Sequence, residues 1–329
     1  MRVKIVLLIG RRNAGVKSSD TILGGYRIPN DNSATCHLFC LNRKLSGFPP
    51  SPRCLIGYAL LLRPYTKFHE YILLHITIFV NIYWNSYQPI PQSPIFFTKA
   101  ASAICGATDD VVYPADTLLL DYEIELGVVL GRTVGKKDVI THENLADYVL
   151  GITLFNDISA RDLQLRAGQW FLGKSYRTFA PLGPFIQRMD QAAQSRLYDL
   201  TLELDIYAAD GTNPSGKGQK GTTAQMIFRV HELLNCLRKK LDLLPGDVVA
   251  TGTPCGVALG SPPKYKMRLA EIIGIPQAER IEHFISSEVK DNRRYLSAGD
   301  IMKTRIYSRD GAVDLGQQSN RIIRDETTI

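Results

Sequence analysis

Apolar and polar residues alternate with a period of two through several stretches, the mark of half-buried strands. The clearest are Leu200–Tyr207, Met302–Tyr307 and Asn320–Ile323. Ile95–Phe97, Leu118–Leu130, Ile152–Phe155 and Asp247–Thr251 read as more fully buried strands. Helical spacing is sparser. It predicts a short helix from an N-cap at Thr141 through Val149, stopped by Gly151. A second helix spans Thr222–Leu237, with Met226, Ile227, Val230, Leu233, Leu234 and Leu237 on one face. Lys264–Ile273 and Gln277–Glu288 complete the set, and Asp210-Gly211 marks a turn. Strands outnumber helices and do not alternate with them one to one, so the class is α+β rather than a βαβ fold.

Residues 1–88 differ from the rest. They show no sustained period and are broken by Gly24-Gly25, Pro49-Pro50 and Pro52, so they form an atypical basic N-terminal segment with no clear fold. Pro89–Pro94 is an extended linker, and residues 89–329 are the second unit. Charge divides the same way. Residues 1–95 hold 11 Lys and Arg against 3 Asp and Glu, a net of +8, while the remainder holds 28 against 29. The body of the chain therefore lacks the basic footprint of a nucleic-acid binder. The apolar run Tyr71–Trp84 is too short for a membrane span and fits a buried or interfacial segment. The six cysteines form no Cys-x-x-Cys pair, which suits free thiols in a reducing compartment such as the cytoplasm. Residues 1–19, basic and free of acids, loosely resemble a transit peptide, so a mitochondrial destination stays open.

The chemistry concentrates between Asp121 and Pro184. Glu123 and Glu125 lie two apart on the strand Leu118–Leu130, so both carboxylates leave the same face. A bare Glu-x-Glu is usually a solvated strand face. Here it runs into Val128-Val129-Leu130, which points to burial on both faces. Two buried parallel carboxylates repel unless a cation lies between them. Hard divalent cations take oxygen ligands, and Asp157, after the next strand, is the candidate third ligand.

Glu-x-Glu, Asn156-Asp157-x-Ser159-Ala160-Arg161-Asp162-x-Gln164, Gly173-Lys174-Ser175 and Pro181-Leu182-Gly183-Pro184 together resemble the fumarylacetoacetate hydrolase family. Pro91-x-x-Pro94-Ile95-Phe96-Phe97-Thr98-Lys99, Leu244–Val248 and Thr251-Gly252-Thr253-Pro254-x-Gly256-Val257 extend the likeness over residues 89 to about 320. The resemblance implies the mixed β-sandwich roll of that family's C-terminal domain. It implies one Mg2+ or Mn2+ held by Glu123, Glu125 and Asp157. Lys174 would be the catalytic lysine, neutralising charge that develops in the transition state. Arg161 and Gln164 would face the substrate, and Gly252 and Thr253 would bind its carboxylate or carbonyl. Asp162 reads as structural. The substrate would be a small 2-oxo or 1,3-dioxo acid, activated by the metal as a Lewis acid toward an enolate. The outcome would be C–C hydrolysis, isomerisation or decarboxylation, and the enzyme would be a homodimer.

One departure stands out. Hydrolytic members carry a His-x-x-Glu dyad about ten residues before the Pro-x-x-Pro segment, where this chain has Ile82 and Asn85. None of the six histidines has Glu three residues later. Three readings follow. The lid is replaced in an altered N-terminal segment; the chemistry is a tautomerisation or decarboxylation needing only the metal and Lys174; or the chain is an inactive metal-binding interaction protein.

Overall fold

Buried on both faces, the strand that carries Glu125 requires partners on both edges, and the sheet supplies them. The structure, a computed structural model, describes residues 92–209, 214–260, 268, 271–291 and 294–325. For 58–59, 73–76 and 214–217 it describes the backbone course. Along the chain come β1 (Tyr58–Ala59), β2 (Leu73–Ile76), β3 (Phe96–Lys99), β4 (Ile104–Cys105), β5 (Val111–Tyr113), β6 (Leu120–Asp121) and β7 (Ile124–Leu130). There follow α1 (Leu145–Tyr148), β8 (Val149–Asn156), β9 (Ser159–Ala160), α2 (Arg161–Ala167), α3 (Phe171–Lys174), β10 (Ala180–Arg188) and α4 (Gln191–Arg196). The last are β11 (Leu200–Tyr207), β12 (Pro214–Thr222), α5 (Val230–Leu237), β13 (Val248–Ala250), α6 (Gln277–Lys290), β14 (Ile301–Ser308) and β15 (Asp314–Arg324).

Two main sheets result. One has the order β1-β10-β8-β7-β13-β2-β3, with β4 added beside β10. The other has the order β12-β11-β14-β15-β5, and β6 pairs with β9 in a third, two-stranded ladder. Among the described elements no helix joins two consecutive strands that pair in parallel, and the architecture is the expected α+β curled sheet. β7 sits between β8 and β13, antiparallel to both, with Val128 opposite Ile152 and Val249. All seven of its residues are buried. β15 lies against β10 and β8, and Gln318 bridges the two sheets there. Its amide donates to Gly183 O at 3.0 Å and Leu154 O at 3.3 Å, and its Oε1 accepts from Thr304. A buried amide satisfied in this way adds orientation to an otherwise apolar interface.

Several boundaries differ from those the sequence predicts. The single strand over Leu118–Leu130 is two, β6 and β7, interrupted at Tyr122-Glu123. The helix over Thr222–Leu237 begins only at Val230. Thr222 instead caps a single 3-10 turn, Thr223–Gln225, with the Gln225 side chain returning to its backbone N–H. Glu232 makes the corresponding contact to the Arg229 N–H and starts α5. The helix predicted over Thr141–Val149 shrinks to α1, because Thr141 and Asn144 bond each other's backbone across a turn before it. β12 and β10, rich in Gly and Pro, are strands that periodicity did not mark. The turn at Asp210-Gly211, the cysteines before Cys105, His69-Glu70 and most of Tyr71–Trp84 and Lys264–Ile273 lie outside the described residues. Leu73–Ile76 is the exception within Tyr71–Trp84: it enters the large sheet as β2, parallel to β13 and antiparallel to β3. Among the described residues no helix is long and apolar enough to cross a membrane, and Cys105, Cys236 and Cys255 are free thiols.

Gly151 shows how closely β8 and β10 approach. A Cβ there would lie 2.3 Å from Gln187 O and 2.7 Å from Ile186 Cγ2. The oxygen belongs to the backbone and cannot rotate away. Gly151→Ala is therefore expected to cost about 1–3 kcal/mol of stability, measurable as a lower urea midpoint with an unchanged slope.

Candidate metal centre

Three carboxylates meet where β7, the end of β8 and the loop after β13 converge. Glu123 precedes β7, Glu125 is its second residue, and Asp157 follows β8 directly. One oxygen from each lies within 4.8 Å of the others, and all three residues are buried. The backbone brings them together: Asp157 N donates to Glu123 O at 2.8 Å, and Glu123 N donates to Asn156 Oδ1 at 3.1 Å. The Asn-Asp pair at the end of β8 thus fixes the entry to β7.

Two ammonium groups border the cluster. Lys174 Nζ donates to Glu123 Oε2 at 3.0 Å and to Asp157 Oδ2 at 2.5 Å. It also lies 5.2 Å from the centre of the Phe97 ring, close enough for a cation–π contact. Gly173 makes this reach possible. A Cβ on Gly173 would be 2.8 Å from Ala160 O and 3.0 Å from Gln164 N, so α3 rests directly on the start of α2. On the other side Lys99 Nζ, at the end of β3, donates to Asp157 Oδ1 at 2.6 Å and to Ile158 O at 3.0 Å. Burial lowers the Lys99 pKa to about 8, against the opposing pull of Asp157.

Glu125 feels the opposite environment. Burial, then the negative charges of Asp157 and Glu123, push its carboxyl well above the usual range. Its Oε2 accepts the Gly252 N–H at 2.7 Å. Oxygen-only donors, full burial and mutual repulsion of the carboxylates are what a hard divalent cation would relieve. The residues present therefore fit such an ion.

The other expected residues all gather here, with polar groups turned toward the protein. Arg161, the first residue of α2, donates from Nε to Asp121 at 2.8 Å and from Nη1 to Gln164 Oε1 at 2.9 Å, while Nη2 bonds Glu123 Oε1. Burial pulls its pKa down, but Glu123 and Asp121 together raise it further, so the guanidinium is permanently charged. The Thr253 hydroxyl donates to Ile124 O at 2.9 Å, and Gln219 Nε2 donates to it at 2.7 Å. Gln219 also accepts the Ile124 N–H at 2.9 Å, between the two glutamates. Asp162 accepts the Leu119 N–H and pairs with Arg166, a structural role as read from the sequence.

Lys99, Asp121, Asn156 and Gln219 carry no role in the sequence reading. Asp121 had a signal: it continues the i, i+2, i+4 series with Glu123 and Glu125. Gln219 had none, because β12 lacks a strand period. A groove of about 620 Å3 runs along α2 and α3, lined by Leu163, Ala167, Phe171 and Leu172 among others. None of the eight candidate residues lines it, although Ser175 and Ala100, the neighbours of Lys174 and Lys99, do.

Comparison with known proteins agrees with this geometry. Residues 81–323 match the family described as Fumarylacetoacetate (FAA) hydrolase C-terminal. A Burkholderia lata protein with a provisional hydrolase name is 40% identical over 177 residues, 54% of this chain and 58% of the relative. The chain thus spans little more than half the length of that relative. Among solved structures, 5-carboxymethyl-2-hydroxymuconate delta-isomerase from Mycobacterium smegmatis shares the fold with a TM-score of 0.55. It is 24% identical, with 77% of each chain covered. Fumarylacetoacetate hydrolase from Exiguobacterium antarcticum aligns with a TM-score of 0.56 and 27% identity, covering 78% of this chain and 76% of its own. By fold, by its ordered motifs and by the match over residues 81–323, the chain belongs to the fumarylacetoacetate hydrolase family, in its C-terminal domain.

Proposed function

We propose that the chain is a metal-dependent enzyme acting on small 2-oxo or 1,3-dioxo acids, with Mg2+ or Mn2+ at Glu123, Glu125 and Asp157. The buried triad beside the Lys174 ammonium carries this reading. When bound, the cation supplies Lewis-acid polarisation of a substrate oxygen. Lys174 Nζ holds a positive charge where an enolising substrate develops negative charge, and in a buried site such a charge acts with little screening. Lys99 fixes the other oxygen of Asp157. Arg161 and the Gly252-Thr253 turn orient Glu123 and Glu125. Gln164, at the edge of the cluster, is the residue of this set nearest the surface.

The names of structural relatives span an isomerase and a hydrolase, two outcomes that share an enolising step. The missing His-x-x-Glu pattern favours the outcomes that need no activated water: tautomerisation or decarboxylation of oxaloacetate-like acids. The family resemblance also implies a homodimer.

Assay of the purified chain against oxaloacetate and acetylpyruvate, with Mg2+ and then EDTA, tests this reading. Oxaloacetate turnover is expected to vanish with EDTA, to return with Mg2+ and to be abolished in Glu123→Ala. Acetylpyruvate cleavage would show that a water-activating base is present and would favour the hydrolase. Inertness toward both acids would leave the interaction-protein reading standing.

Gly173→Ala tests the placement of Lys174. The added Cβ meets the Ala160 carbonyl and displaces the ammonium, so kcat should fall about 100-fold while far-ultraviolet circular dichroism stays native. Native kcat in a folded Gly173→Ala protein would remove Lys174 from the proposed chemistry.

A further inference from the structure

Asp121 is the fourth buried carboxylate at this centre, and all of its acceptor capacity is in use. Its Oδ1 accepts the backbone N–H of Tyr122 at 2.7 Å and of Ala258 at 2.8 Å. Its Oδ2 accepts Arg161 Nε at 2.8 Å and the Leu259 N–H at 3.0 Å. A carboxylate offers about four lone-pair positions, so Asp121 has none left for a cation. It is acidic, buried and two residues from Glu123, yet its geometry separates it from the triad.

We propose that Asp121 is a positioning residue that sets both glutamate ligands of the metal centre. One route runs through Arg161. With Nε fixed on Asp121, the guanidinium reaches only Glu123 Oε1, through Nη2. Freed from Asp121, an arginine fork favours bidentate capture of a carboxylate, which would take both Glu123 oxygens. Asp121 thereby keeps Glu123 Oε2 turned toward Lys174 and the other ligands. The second route runs through the loop after β13. Ala258 and Leu259 anchor the far end of the loop on Asp121, and Gly252, at its near end, holds Glu125 Oε2. One side chain thus orients Glu123 from one side and the support of Glu125 from the other. The role rests on the reading of Glu123, Glu125 and Asp157 as a metal site.

The test uses the full chain and Mn2+ alone, with free Mn2+ measured by electron paramagnetic resonance. In Asp121→Asn, an amide NH2 must face either Arg161 or the backbone N–H groups, so the array of bonds fails. Outer residues that orient ligands typically contribute about 10–100-fold in metal affinity, and a loss of that size is expected. Arg161→Lys, which keeps the charge without the fork, should weaken Mn2+ to a similar degree. The double variant should be no weaker than Asp121→Asn alone, because Arg161→Lys interrupts only the first of the two routes that Asp121→Asn already breaks. A purely structural Asp121 would lower the thermal midpoint and leave the Mn2+ affinity unchanged, which overturns the proposal. Additive losses in the double variant overturn it as well. If Asp121→Asn does not fold, native Mn2+ affinity in Arg161→Lys overturns it. Failure of the unsubstituted chain to bind Mn2+ would instead remove the metal site itself.

Discussion

Burial of charge is the constraint on which the rest of the centre depends. Asp121, Glu123, Glu125 and Asp157 lie inside the protein with Lys99, Lys174 and Arg161. Removing one partner from such a group leaves an uncompensated charge in a medium that solvates it badly, at a cost of about 3–5 kcal/mol. Within this group the negative charges exceed the positive by one. The excess falls on the triad, where Glu125 is driven toward its neutral form. With Glu125 neutral the seven side chains balance; a cation among the triad would let all four carboxylates stay ionised.

Positions in the backbone make that concentration of charge attainable. The triad carboxylates stand at strand ends, held by main-chain groups: Asp157 N on Glu123 O, Gly252 N on Glu125, Thr253 on Ile124 O. Gly173 removes the side chain that would keep α3 away from α2. Rigid elements with satisfied hydrogen bonds hold catalytic groups better than mobile loops do, and most polar contacts of Arg161, Thr253 and Gln219 are spent on this support.

Much of this was legible in the sequence, for identifiable reasons. The Glu-x-Glu of a strand that turns fully apolar signals burial, and the Asn-Asp after the next strand places the third carboxylate of the cluster. Period-two alternation located β11, β14 and part of β15, whose outer faces stay polar. It missed β10 and β12, where Gly and Pro serve close packing and supply no pattern. It joined β6 to β7, because a break in pairing at Tyr122-Glu123 leaves no mark in hydropathy. Arg161 was identified as part of the site through its motif. That its Nε, Nη1 and Nη2 turn inward to Asp121, Gln164 and Glu123 depends on tertiary placement, which local sequence does not encode.

The strand β2 puts the boundary near Pro89 in another light. Composition and charge change there, but hydrogen bonding does not respect the change. Leu73–Ile76 pairs β13 on one edge and β3 on the other, with Leu73 opposite both Val248 and Lys99. Among the described strands β3 has no other neighbour in the sheet. The ammonium that steadies Asp157 is thus suspended from the compositionally foreign part of the chain. Any splicing variation or trimming that spared every motif residue but removed those four would unhook the edge of the sheet from the centre it serves.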